Sequence, residues 1–161
     1  MLRPSVLKQF NPQFVRLVNE LPGLSRQNRA TVGRLFIQGG LEYAKRGVDG
    51  RMRAQVRIPP WRMAWSPSIT VMPTAGDLEI EFVNDDHNDH CVILPSNGDK
   101  QWMWSPVHSR STAQLNLDGP GYYWFGSGIG NNEGRGLFGM IAVLGDVPHE
   151  ARLDRPPQPR P

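Results

Sequence analysis

The segment that decides the fold is residues 119–143, GPGYYWFGSGIGNNEGRGLFGMIAV. An aromatic run (122–125), a glycine-rich loop and an apolar run (140–144) follow one another, which predicts two core strands joined by a long loop. Because such loops often carry function, we expect a functional site there.

Residues 134–139 fit G-x-G-x-x-G, but a dinucleotide site needs a helix where this chain continues as a strand. The glycines instead suit a tight loop or the approach of a partner's backbone, and Arg135 is a candidate partner-binding residue.

The length and composition of the chain predict one domain with a moderate core. It has 161 residues, including 17 glycines and 15 prolines, a content that suits strands and turns. No stretch approaches the roughly 18 apolar residues of a membrane helix. Residues 1–14 lack the apolar core of a signal peptide, so none is visible in this chain. Cys91 is the only cysteine, which excludes an internal disulfide, zinc-ribbon spacing and c-type haem attachment.

The charge is distributed unevenly along the chain. Residues 1–58 carry 11 basic and 3 acidic side chains, whereas residues 59–147 carry 4 basic and 10 acidic ones. The basic arm can be a solvated helix surface, or it can dock on an acidic protein or make peripheral contact with an anionic membrane. Nucleic acid is not an expected partner, because the aromatic residues lie in the acidic half and not among the arginines.

The hydrophobic periodicity divides the chain into three parts. Residues 1–50 have helical spacing, and residues 99–111 read as a loop that contains Trp102, Trp104 and His108. Several short segments with period-two alternation predict a mainly β chain. The predicted organisation is an N-terminal helical extension (1–50), a β-sandwich (51–147) and a flexible tail rich in proline and arginine (148–161).

Two segments carry a family resemblance. Residues 66–94, SPSITVMPTAGDLEIEFVNDDHNDHCVIL, contain a strand, a Gly-Asp turn, a strand ending in Asn84, a short loop, and His90 before apolar residues. Together with residues 119–143, this order resembles the cupredoxins of the plastocyanin and azurin type over roughly residues 64–145. The resemblance implies a cupredoxin-like Greek-key β-sandwich and a periplasmic or otherwise extracytoplasmic location.

The resemblance extends to only one of the four copper ligands. In cupredoxins a histidine, a cysteine, a second histidine and a methionine hold type 1 copper, which needs a thiolate, two imidazoles and a weak axial thioether. His90 matches the first ligand. The other three positions fall on Gly126 or Ser127 for the cysteine, Asn131 or Asn132 for the second histidine, and Leu137 for the methionine. We therefore expect a degenerate type 1 site and no blue-copper electron transfer through it.

A non-standard metal site is the alternative at the same end. His87, His90 and Cys91 lie close together in sequence, and His108 precedes a strand that should run away from that end. Histidines with a cysteine or carboxylate can bind copper or zinc, and a histidine can ligate haem iron. Against this, an acidic loop is often only solvated, and Cys91 should point to the opposite face of the strand from His90.

Two functions therefore stay open. The first is a cupredoxin-like accessory or electron-transfer protein that binds a metal or haem through histidine and docks on a redox enzyme or cytochrome. The second is a metal-free scaffold that serves as a binding or assembly subunit, with Trp102 and Trp104 at the apolar centre of an interface. No nucleophile triad is assignable, so we do not expect an enzyme, and a hydrolase is a weak third hypothesis.

Overall fold

The computed structural model describes residues 26–62, 64–96, 99–127 and 137–145. The predicted tail, 148–161, lies outside these ranges, and within them no helix is long and apolar enough to cross a membrane. The described elements, in chain order, are α1 (Arg26–Gly39), β1 (Leu41–Tyr43), β2 (Lys45–Arg46), β3 (Met52–Ile58), β4 (Ile69–Met72), β5 (Gly76–Asn84), β6 (His90–Ser96), β7 (Asp99–Ser105), β8 (Arg110–Leu117), β9 (Gly121–Ser127) and β10 (Phe138–Val143).

The strands form two sheets that enclose one main core. The larger sheet has the order β1-β4-β10-β9-β6-β7 and the smaller has the order β2-β3-β5-β8. The core is filled from both sheets, and the rings of Trp65, Phe82 and Phe125 contact one another there at centroid distances of 5.3–5.8 Å. The prediction of a mainly β sandwich with an N-terminal helix is confirmed.

The larger sheet is buried on both faces near its centre. Val32 and Leu35 of helix α1 pack on the outer face of this sheet, the face opposite the main core. All six residues of β10 are therefore buried, which explains why this strand reads as a continuous apolar run without alternation. The buried strand predicted after the glycine loop is present. Gly139 faces the ring of Phe125 so closely that a Cβ atom there would overlap it.

The helical prediction is wrong for residues 41–46. Helix α1 ends at Gly39, where the carbonyl of Trp65 comes too close for any side chain. Gly40 follows with a φ of 79°, the left-handed conformation that ends many helices at glycine. The chain then forms β1, parallel to β4, and β2, antiparallel to β3. Residues 1–25 of the predicted helical extension lie outside the described part of the chain.

The loop prediction for residues 99–111 is wrong over β7. This strand pairs with β6 from Asp99 to Ser105 and forms an end of the larger sheet. Trp102 and Trp104 point outward and are 70% and 56% exposed, whereas Met103 packs against the core. Because the two tryptophans of β7 face solvent, the sequence of this strand lacks the alternation of inward apolar and outward polar residues that usually predicts a strand.

Candidate functional site

The connection between β5 and β6 is built on the asparagine that ends β5. Asn84 is buried, and its amide nitrogen donates to the carbonyls of Asn88 at 2.8 Å and Ser105 at 2.9 Å. Its amide oxygen accepts from the backbone N–H of Asp86 at 2.9 Å, an Asx turn. One side chain therefore sets the path of this loop and ties it to β7.

Asp86 and His90 form a buried pair beneath the loop. His90 Nε2 lies 2.9 Å from Asp86 Oδ2, and each residue is at most 3% exposed. The other carboxylate oxygen accepts from the backbone N–H of Trp61 at 3.1 Å. Burial by itself raises the pKa of the Asp86 carboxyl, but hydrogen bonds from His90 and from the backbone of His87 and Trp61 bring it below its ordinary value. The ionised carboxylate thus holds two segments of the chain together.

Three aromatic rings lie above this pair on the surface. Trp61 stacks on His87 with centroids 4.1 Å apart, and His108 meets His87 edge-on at 5.5 Å. Trp61 is 78% exposed, and both histidines are exposed as well. Trp61 and His108 have φ angles of 59° and 52°, which are uncommon for residues other than glycine. We call the surface formed by Trp61, residues 85–90 and residues 105–109 the loop end.

The structure separates the predicted metal-binding residues into three places. His87 and His108 are neighbours on the surface, whereas His90 lies inside, next to Asp86. Cys91 is buried one step along β6, so its side chain points to the opposite face of the sheet from His90. Within the described ranges, no three His, Cys, Asp or Glu side chains are grouped so that they could hold a metal ion. The histidine-based metal site stays a prediction.

Only some of the residues that stand where cupredoxins have their other copper ligands lie within the described part of the chain. Ser127 ends β9 and pairs with Val92, two residues beyond His90. Leu137 is fully buried and packs in the main core. Asn131, Asn132 and Arg135 lie outside the described residues. The degenerate type 1 site stays a prediction, and so does the partner-binding role of Arg135.

The sequence interpretation missed three residues of the loop end. Trp61 follows Pro59-Pro60, and no spacing links it to His87. Asp86 looked like a solvated residue of an acidic loop. Ser105 is paired with His90 across the ladder, and its buried hydroxyl has no hydrogen-bond partner among the described residues. The strand-ending Asn84 was the one signal that could have pointed to a buried polar network here.

The outer side of the smaller sheet has a different polar surface, which we call the charged face. Arg53 Nε donates to Glu79 at 2.5 Å, and Gln114 Nε2 donates to the same carboxylate at 2.8 Å. Gln55 Nε2 donates to Glu81 at 2.7 Å. The Arg53 guanidinium holds the pKa of Glu79 below its ordinary value. These charges are paired across strands, and they lie in contact with water.

Comparison with known proteins identifies the family. A family model described as PQQ-associated matches residues 11–161, almost the whole sequence. The chain belongs to this PQQ-associated family. No curated protein matches this sequence. The family assignment covers the helix, both sheets and the loop end together.

Solved structures similar to this PQQ-associated protein show its fold. Reduced auracyanin from Roseiflexus castenholzii is 12% identical, with a TM-score of 0.52 over 58% of this chain and 97% of that chain. Auracyanin A from Chloroflexus aurantiacus, described as a "blue" copper protein, is 10% identical, with a TM-score of 0.50 over 59% and 100%. A purple cupredoxin from Nitrosopumilus maritimus is 21% identical, but its TM-score of 0.41 over 56% and 99% adds no weight. The predicted cupredoxin-like fold is thus confirmed.

Proposed function

We propose that this PQQ-associated protein is a cupredoxin-like accessory protein of an extracytoplasmic redox system. In this proposal it binds a redox enzyme through the loop end. The observation that carries the proposal is that Trp61, His87 and His108 form one exposed aromatic cluster, in which Trp61 is stacked on His87. The family description supports a redox partner, because PQQ denotes pyrroloquinoline quinone, a redox cofactor.

The loop end has the properties of a binding surface. Tryptophan is enriched among the residues that contribute most to protein–protein affinity, and Trp61 presents most of its ring to solvent. Its backbone N–H is tied to Asp86 and its ring is stacked on His87, so little conformational freedom is lost when a partner covers it. The unusual φ angles of Trp61 and His108 are also typical of ligand-contacting segments.

A second candidate function is electron transfer by a bound copper or haem, with His90 as a ligand. The specific observation in its favour is the hydrogen bond between His90 Nε2 and Asp86, because metal-ligating histidines usually donate their other ring N–H to a carboxylate or carbonyl. Such a centre would not be type 1 copper. The only thiol, Cys91, lies on the other side of β6, and Gly126 and Ser127 provide no thiolate.

Elemental analysis and an absorption spectrum of protein purified without added metal distinguish the two candidates. A stoichiometric metal or a Soret band that disappears in His90→Ala supports the electron-transfer candidate. A metal-free, colourless protein that still binds the redox enzyme supports the docking function alone. A strong blue absorption band would contradict our exclusion of type 1 copper.

The direct test of docking is a binding measurement with a PQQ-dependent dehydrogenase from the same organism, made in the presence of a chelator. We expect Trp61→Ala to weaken the complex about 10- to 30-fold, the usual loss at an anchoring tryptophan. Gln55→Ala on the charged face is the matched control and should leave affinity within about twofold. Absence of a complex, or equal weakening by both substitutions, would rule out docking through the loop end.

A further inference from the structure

We infer that His87 and His108 form a surface site for a divalent transition-metal ion such as Cu²⁺. This site is separate from His90, which matches the first copper ligand of the cupredoxins. This inference does not depend on the docking function proposed above. The two ring centroids are 5.5 Å apart. Two imidazole nitrogens bound to one ion at about 2.0–2.1 Å place their ring centroids about 4.5 Å apart at the roughly 90° angle of tetragonal Cu²⁺, and about 5 Å apart at a tetrahedral angle. The observed separation is slightly larger than these values, so the exposed His108 ring must move toward His87 to share an ion.

The neighbouring ring restricts His87 before any ion binds. Trp61 stacks on one face of that imidazole at 4.1 Å with an interplanar angle of 24°. The stacking fixes the plane of the His87 ring, and His108 approaches it nearly at right angles. His108 is exposed, so its ring can turn toward a shared ion without displacing a core side chain. One ligand is thus oriented in advance and the other can adapt.

Two carboxylates of the β5–β6 loop hold the segments that carry the rings. Asp86 Oδ1 accepts from the N–H of Trp61 at 3.1 Å, and Asp89 Oδ1 accepts from the N–H of Val107, beside His108, at 2.8 Å. The left-handed conformations of Trp61 and His108 cost on the order of 1 kcal/mol each and persist only where the surroundings enforce them. The β5–β6 loop, which carries His87, therefore positions both Trp61 and His108.

The charges around the two histidines favour a cation but do not complete its ligand set. Asp85, Asp86 and Asp89 surround His87 in sequence, and Arg57 offsets the charge of Asp85 through an ion pair. Asp86 and Asp89 are engaged in the hydrogen bonds just described. In the described part of the chain no third His, Cys, Asp or Glu joins the pair. The ion would thus keep positions for water or for a partner's side chain, as exchangeable and catalytic sites do.

The test is a calorimetric titration of the full chain with Cu²⁺ at neutral pH, accompanied by electron paramagnetic resonance to detect nitrogen ligands. We expect one Cu²⁺ per chain, and His87→Ala and His108→Ala should each weaken its binding at least tenfold, because each removes one of two ligands. Trp61→Ala should weaken binding less than either histidine substitution. His149→Ala removes an imidazole elsewhere in the sequence and is the matched control, with no expected change.

Two results would overturn the inference. One is an unchanged Cu²⁺ affinity in His87→Ala or His108→Ala, and the other is an equal loss in His149→Ala. Circular dichroism of each variant would establish that it is folded, which we expect because both histidines are exposed. A chain that binds Cu²⁺ as expected but forms no complex with the dehydrogenase would contradict the docking proposal and leave the metal site supported.

Discussion

The loop end and the charged face are both networks of polar side chains that join separate segments, but they differ in burial. At the loop end, Asn84, Asp86 and His90 are buried. Asn84 and Asp86 hydrogen-bond backbone groups of other segments, and His90 pairs with Asp86. On the charged face, Arg53 and Glu79 pair across strands in contact with water. Burial decides the consequence, because an unpaired buried polar group costs about 1–3 kcal/mol, whereas an exposed ion pair contributes little. The first network positions a surface, and the second only covers a sheet.

The largest expected effect is the loss of the buried carboxylate. Asp86→Ala would leave the His90 ring and the Trp61 N–H without their acceptor, so we expect it to lower the free energy of unfolding by about 3 kcal/mol. Urea denaturation measures this change. Glu81→Ala is the matched control, because it removes an acceptor of Gln55 and Arg110 on the charged face, and it should cost less than about 1 kcal/mol. Equal losses would remove the distinction between the two networks.

A smaller effect concerns pH. The pKa of Asp86 in the folded protein lies below its ordinary value of 3.8, so its ionised form contributes stability above that pH, which is lost as pH falls through the folded pKa. We expect the stability difference between the wild type and Asp86→Asn to be constant near neutrality and to shrink below pH 3.8. A difference that grows on acidification would have the wrong sign and would contradict this assignment.

The smallest expected effect is on the charged face itself. Arg53 bridges Glu79 and Asp49, yet all three side chains are accessible to water. Arg53→Ala should therefore leave the urea midpoint unchanged within error at high salt, where exposed charges are screened. A clear destabilisation that persists at high salt would mean that the charged face also orders the fold.

The fold was largely predictable because its central strands have strong patterns. The apolar run of β10 and the alternation of β5 identified core strands without knowledge of their partners. Strands β1 and β2 were missed because they are only three and two residues long and lie at sheet ends. Strand β7 was missed because its tryptophans face solvent.

The loop end was less predictable from the sequence. The nearness of His108 to His87 follows from the direction of β8 and was anticipated. Trp61 was not, because a left-handed turn after two prolines has no periodic signal. The burial of Asp86 depends on hydrogen bonds from a segment 25 residues away, a tertiary relation that local composition does not encode.

The central claim is that the loop end, and not the charged face, contacts the redox partner. Hydrogen–deuterium exchange of the full chain, measured with and without the PQQ-dependent dehydrogenase, tests it most directly. We predict protection of the amides around Trp61, residues 85–90 and residues 105–109, with residues 53–57 and 77–81 unchanged. Protection confined to residues 53–57 and 77–81, with the loop end unchanged, would contradict it.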